Sequence, residues 1–210
     1  MSADRKRPQV TSLMLISHAS TRALRRAAFP LDERLDPSAY RKAAGAPPVP
    51  RAQRAWTGPE RRTTETAQAL ALDAVIEPAL RDCDYGRWAG RSLDELQSQE
   101  PEAVTAWLGD PRAAPHGGES IDSVLRRVGG WLDGVVHCSG RLVAVTHPAI
   151  VRAAIVHAIG AAPSTFWRID VAPLTYASLR AHGSGWTMRA SGCPILQSSV
   201  EARSVGEDSG

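Results

Sequence analysis

Two histidines each close a short apolar run: His18 follows Ser12-Leu13-Met14-Leu15-Ile16-Ser17, and His147 follows Arg141-Leu142-Val143-Ala144-Val145-Thr146. A third candidate, Arg62, lies in the first turn of a well-signalled helix that opens with Thr57-Gly58-Pro59-Glu60, because proline and an acid just inside the start both favour helix initiation. Imidazoles and a guanidinium beside a helix N-terminus form a receptacle for a dianion, since every group donates toward negative charge. A phosphoryl group is the natural occupant. An imidazole whose Nδ1–H is held by a carbonyl presents its Nε2 lone pair and can attack phosphorus, forming a phosphohistidine. The departing alkoxide then takes a proton, for which a nearby carboxylic acid is the usual donor.

Convergence of these side chains depends on the elements that carry them. The two apolar runs suit strands covered on both faces, as in a parallel sheet. A weaker strand over Gln53 to Thr57 leads into a helix over Arg61 to Leu72. Ser120 is placed to cap a helix reaching Val136, whose Ile121, Val124, Leu125, Val128, Trp131, Leu132 and Val135 recur at helical spacing. Ala149 to Ile159 is a more apolar, hence more buried, helix, and Thr175 to Arg180 with Trp186 to Arg189 reads as a late hairpin. Strands alternating with helices imply an α/β fold with a mostly parallel sheet, whose ligands sit beyond the carboxyl ends of the strands.

Composition narrows the class. The chain has 210 residues, 43% apolar and 22% charged, enough to bury about 70% of its extended surface as one globular domain without staples. Residues 1–10 and 192–210 are expected to be flexible tails around a domain at 11–191. Of the 25 basic residues, 23 are Arg, a side chain suited to phosphate, and a GC-rich genome is the competing explanation. No dense basic block points to nucleic acid, and no run approaches the ~20 apolar residues of a membrane span. Three widely spaced cysteines, Cys83, Cys138 and Cys193, with no C-x-x-C pair, fit a reducing cytoplasm. The phosphate-loop, H-E-x-x-H and G-x-S-x-G signatures are absent, and His116, His137, His157 and His182 lack partners at metal-ligand spacing. The tryptophans read as core, with Trp88 the one candidate for a pocket wall.

In five places the chain resembles the histidine phosphatase superfamily, the phosphoglycerate-mutase-like fold, over about residues 12 to 190. Ser17-His18-Ala19-Ser20-Thr21 stands where the family has Arg-His-Gly-x-Thr; Gly58-Pro59-Glu60-Arg61-Arg62-Thr63-Thr64-Glu65-Thr66-Ala67 matches its Ser-Pro turn and following helix. The acid-bearing segment corresponds to Leu80-Arg81-Asp82-Cys83-Asp84-Tyr85-Gly86, the Gly-Glu-Ser segment to Gly118-Glu119-Ser120 with Arg127-Val128, and the second histidine to His147-Pro148. The resemblance implies a three-layer αβα sandwich and phosphoryl transfer without cofactor or metal. His18 would be the nucleophile and Asp82 the general acid; His147, Arg62, Ser17 and Thr21 would surround the phosphoryl group. Arg61 is the off-by-one competitor of Arg62, and Asp84 that of Asp82.

Departures from the pattern sharpen the expectations. Ser17 replaces an arginine, a loss of about 1.5–3 kcal/mol if nothing substitutes; Arg22, Arg25 or Arg26 could supply the missing guanidinium. Asp82 is one methylene shorter than the family's glutamate, so its surroundings must restore its reach and raise its pKa. Ala19 and Pro148 replace glycines beside the histidines and cannot take the backbone freedom of glycine. The expected activity is therefore that of a histidine acid phosphatase-type phosphomonoester hydrolase, or a mutase-like phosphotransferase, acting on a small phosphorylated molecule in the cytoplasm. Its rival is an impaired pseudophosphatase that binds a phospho-ligand. Substrate choice falls to the segments Arg22 to Pro50 and Leu93 to His116, expected to be irregular and able to meet an anion, with His116 bordering the site.

Overall fold

The computed structural model describes residues 11–183 and 185–195. A six-stranded sheet is built from β1 (Ser12–Ser17), β2 (Arg54–Thr57), β3 (Val75–Ile76), β4 (Arg141–Thr146), β5 (Thr175–His182) and β6 (Gly185–Pro194), in the order β3-β2-β4-β1-β5-β6. The pairs β1/β4, β2/β4 and β2/β3 are parallel, and the β5–β6 hairpin adds two antiparallel pairings at the far edge.

Side chains alternate across a strand, so a continuous apolar run loads both faces of a sheet. On one face Leu13, Leu15, Leu142 and Ala144 pack with Val124, Val128 and Leu132 of α6 (Ile121–Val135) and Ile150 and Ala154 of α7 (Pro148–Ile159). On the other, Ile16, Val143 and Val145 meet Ala39 and Ala43 of α2 (Pro37–Ala44) and Ala67 of α3 (Arg61–Ala69). Full burial of each large apolar side chain contributes about 1.5–3 kcal/mol. The result is the three-layer αβα sandwich.

Ser120 caps α6 as expected, its hydroxyl accepting the Ser123 N–H at 3.2 Å. Helix α3 stops at Ala69, short of Leu72, because Ala71 turns left-handed (φ 52°) and the Leu72 N–H reaches back to the Ala67 carbonyl at 2.9 Å. The two segments expected to be irregular hold four helices: α1 (Arg22–Arg25) and α2 in the first, α4 (Leu93–Gln99) and α5 (Pro101–Gly109) in the second. Local signals account for them. Ser92 and Glu95 form a reciprocal capping box, and Pro37 and Pro101 sit in first turns. Leu96, Val104 and Trp107 then anchor α4 and α5 in a small third core with Phe29 and Trp88.

The hairpin is longer than its apolar pattern suggested. β6 runs to Pro194 and Ile195 donates to the Leu174 carbonyl at 3.0 Å, so the ordered domain passes the expected boundary at 191; the backbone ladder extends it where side-chain patterning does not. The expected tail at 1–10, and residues 196–210 of the one expected at 192–210, lie outside the described residues. Among the described residues no helix is long and apolar enough to cross a membrane.

Candidate active site

Strand pairing itself assembles the site. The His18 N–H donates to the Thr146 carbonyl (2.9 Å), extending the β1–β4 ladder by one residue, and the Gly58 N–H donates to Val145 (3.0 Å), extending β2–β4. The ends of β1 and β4 and the turn from β2 into α3 are thereby held side by side. The His18 and His147 rings meet edge to face, with centroids 5.3 Å apart. His18 Nδ1 lies 2.7 Å from the Ala19 carbonyl oxygen, which can only accept. Nδ1 therefore carries the hydrogen and Nε2 the lone pair. Burial, then the neighbouring His147 and Arg62, push the His18 pKa down to about 3, so the ring is neutral across the physiological range.

Glu60 caps the start of α3 by position, but its side chain turns inward. One carboxylate oxygen accepts the Asp82 N–H at 2.9 Å and the other meets His147 Nε2 at 2.7 Å. Burial pushes the Glu60 carboxyl up, but the hydrogen bond and charge of His147 outweigh it and bring the pKa to about 2. Since a carboxylate only accepts, His147 bears hydrogen on Nε2, leaving Nδ1 directed at Asp82 Oδ2 at 3.4 Å.

Arg62 is 2% exposed. Its Nη1 donates to the Leu31 carbonyl (2.9 Å) and its Nη2 to Asp82 Oδ2 (2.7 Å), while Nε has no partner among the described residues. Burial would raise the Asp82 pKa, yet His147, Arg62 and His18 together hold it below the ordinary carboxyl value. The expectation of a raised pKa is thus corrected for the free protein: the shorter side chain sits against Arg62, which favours its charged form. Backbone around Asp82 is clamped from behind. Arg127 grips Glu119 through two contacts (3.0 and 2.7 Å) and donates to the Ala79 and Arg81 carbonyls (2.6 and 3.1 Å); Thr146 Oγ1 donates to the Leu80 carbonyl (2.8 Å).

Other named positions divide sharply. Thr21 is buried, accepts the Leu24 N–H through its hydroxyl (3.3 Å) and so caps α1 while lining the pocket above His18. Ser17 is fully buried, and its hydroxyl has no partner among the described residues. No downstream arginine fills its place: Arg25 pairs with Asp36 (2.9 Å) at the surface, and Arg22 and Arg26 are exposed and away from the pocket lining. Arg61 is likewise exposed. Asp84 is exposed and accepts the Gly86 N–H (2.9 Å) in a turn, so the inward carboxyl is that of Asp82.

His116 is buried among Tyr85, Trp88 and Trp107, its Nδ1 accepting the Gly118 N–H (3.0 Å), and it does not line the pocket. Trp88, expected as a wall, is fully buried in the third core; Trp107 and Trp167 form the wall instead. Neither residue that stands in place of a glycine needs left-handed backbone. Pro148 occupies the first position of α7, where its fixed φ suits the helix, and Ala19 has no positive φ, its N–H donating to Thr66 Oγ1 at 3.0 Å. Burial, then Asp82 and Glu119, push the Cys83 thiol up, which removes it as a nucleophile.

Sequence reasoning passed over Glu60, Thr66, Arg127 and Arg152. Glu60 stood in a quoted motif, but only the fold shows that its side chain faces His147. Arg152, one helical turn beyond His147 on α7, lines the pocket with its Nε donating to the Ile169 carbonyl (2.7 Å) and its guanidinium 5.8 Å from the Phe166 ring. The pocket has a volume of about 500 Å³ and opens above His18 and Asp82.

Comparison with known proteins places the family and the fold. The family model of the histidine phosphatase superfamily (branch 1) matches residues 13–194. The bifunctional protein Rv2228c of Mycobacterium tuberculosis is 34% identical over 122 residues, 56% of this chain and 34% of that protein. Phosphoserine phosphatase 1 of Hydrogenobacter thermophilus is 30% identical over 129 residues, 58% of this chain and 61% of that one. Both matches span less than two thirds of the relative's own length. Among solved structures, Mycobacterial hydrolase 1 superposes with a TM-score of 0.78 over 88% of this chain and 99% of its own, at 20% identity, a likeness of fold.

Proposed function

The chain belongs to the histidine phosphatase superfamily, and from that premise we propose that it hydrolyses phosphomonoesters through a phosphohistidine on His18. The observation that carries this reading is the locked tautomer of a buried, neutral His18: Nδ1–H on the Ala19 carbonyl, Nε2 free, beside His147. In the first step His18 Nε2 forms a bond to phosphorus as the ester P–O bond breaks, and the departing oxygen takes a proton from Asp82. In the second, water attacks phosphorus, gives its proton to Asp82, and the N–P bond breaks to release phosphate.

Asp82 is a carboxylate in the free protein, so the complex must acquire one proton. A phosphoryl dianion set against Arg62 and His147 takes up the positive charge that holds this carboxyl down, and binding thereby raises its pKa. Arg62 and His147 then stabilise the charge on the equatorial oxygens. The Glu60 carboxylate fixes the His147 ring, as a carboxylate behind an imidazole does in other acid–base sites.

A second reading keeps the fold as a phospho-ligand binder without turnover. It is favoured by the buried Ser17, whose hydroxyl has no partner among the described residues, in place of a guanidinium. One experiment separates the two: phosphomonoesters are incubated with the wild type and His18→Ala, and quenched mixtures are analysed for an N–P adduct by mass spectrometry. Turnover with an adduct on His18, lost about 10³-fold or more in the variant, supports the hydrolase. Phosphate binding without turnover supports the binder.

A further inference from the structure

His18 and Asp82, which carry the proposed reaction, are polar, but the walls above them are mostly apolar. Leu24, Phe29 and Pro30 come from the first variable segment, and Trp107 and Leu108 from α5. Trp167 packs on Trp107 with centroids 4.4 Å apart, closing the far side. Neither variable segment contributes a charged side chain to the lining, contrary to the expectation that they would meet an anion. Beyond Asp82 the charged lining residues are Arg152 and Asp170, one of each sign; burial lowers the Arg152 pKa, and Tyr85 and Asp170 oppose that shift.

Leu24 and Leu108 are 39% and 44% exposed, and both stand in this lining. Large apolar side chains left in water at a pocket wall gain only when a ligand covers them. The wall from α5 is held in place by the small core that Val104 and Trp107 form with Leu96, Phe29 and Trp88.

From these walls we infer that the substrate is a phosphomonoester whose leaving alcohol carries a bulky apolar body, aromatic or cyclic, in place of a polyol, amino acid or sugar. The inference rests on the phosphatase reading and names the substrate class of that same site. A polyol placed here would lose water from its hydroxyls and find few partners, because outside His18 and Asp82 the polar side chains of the lining are Thr21, Tyr85, Arg152 and Asp170, and the Thr21 hydroxyl already caps α1 while Arg152 Nε is committed to the Ile169 carbonyl. An apolar body instead covers Trp107, Trp167 and Leu108 while its phosphoryl group reaches His18.

The test compares primary-alcohol phosphates of similar leaving-group basicity, so that intrinsic reactivity does not decide the outcome: 2-(1-naphthyl)ethyl phosphate and 2-cyclohexylethyl phosphate against glycerol 3-phosphate and phosphoserine. The apolar pair is expected to show kcat/KM at least tenfold higher, with most of the difference in KM. Leu108→Asp, at an exposed position that leaves the cores intact, is expected to bring that ratio down about fivefold or more. Equal or better turnover of glycerol 3-phosphate or phosphoserine overturns the inference and leaves the phosphatase reading standing. Should no ester turn over, the hydrolase reading fails, and calorimetry with 2-(1-naphthyl)ethylphosphonate against methylphosphonate decides the pocket: tenfold tighter binding of the naphthyl compound supports it, and equal binding overturns it.

Discussion

Glu60 holds two parts of the site with one carboxylate, the backbone of Asp82 and the ring of His147. Glu60→Gln preserves shape but presents an amide N–H or a weaker acceptor to His147 Nε2, so the ring loses the carboxylate that orients it. We expect kcat to fall about ten- to a hundredfold with the protein still folded, a split that kinetics and thermal melting read separately. His18, with a pKa of about 3, stays neutral where an ordinary histidine titrates. The profile of kcat/KM should therefore show no loss on the acid side near pH 6.5 and should decline toward alkaline pH, as the proton required on Asp82 or the phosphoryl group is lost. An acid limb near 6.5 that vanishes in a His18 variant would contradict this. Ser17 buries a hydroxyl without a partner among the described residues, and Ser17→Ala removes that penalty; stability should hold or rise by about 1 kcal/mol, roughly 2–4 °C in Tm for a chain of this size.

The turn from β2 into α3 and the start of α6 are the elements on which the site leans. A Cβ added at Gly58 would stand 2.8 Å from the Leu80 carbonyl and 3.1 Å from both Glu60 Oε2 and His147 Nε2, so the turn must shift. Gly58→Ala is expected to cost about 1–3 kcal/mol and to lower kcat about tenfold, because the displaced turn carries Glu60 and Arg62; unchanged kinetics would show that the turn tolerates the methyl group. Ser120→Ala acts through stability alone. Loss of the cap should cost about 1 kcal/mol, read as a lower urea midpoint with kcat retained. At this scale the chain's own patterns placed β1, β4 and α7 closely, since long apolar runs have one stable use, between two layers. They did not reveal α4 and α5, whose periodicity is short and whose stability comes from the capping box at Ser92 and from packing with Phe29 and Trp88.

For the whole molecule, burial of titratable groups links folding to pH. His18 has an ordinary value of 6.5 and a folded value of about 3, so between those pH values the unfolded chain binds a proton that the folded one refuses. Stability is complete above 6.5 and falls as pH drops toward 3, by up to about 1.4 kcal/mol per pH unit. Glu60, lowered from 4.5 to about 2, works in the same direction over its own window: its contribution is present above 4.5 and lost as pH falls toward 2. Urea midpoints measured from pH 7.5 to 4.5 should decline below about 6.5, and His18→Gln should flatten the upper part of that decline. A midpoint constant down to pH 5 in the wild type would mean that His18 titrates alike in both states. The amino-acid order by itself determined the layered α/β class, the strand-end positions of His18 and His147 and the helix-start position of Arg62, because apolar periodicity and capping chemistry are local. Only the tertiary structure decided that Asp82 rather than Asp84 turns inward, that Glu60 faces His147, that Arg22, Arg25 and Arg26 stay out of the pocket lining, and that the pocket is walled by Trp107 and Trp167. Those outcomes depend on side chains far apart in the chain meeting across packed layers, which no local pattern encodes.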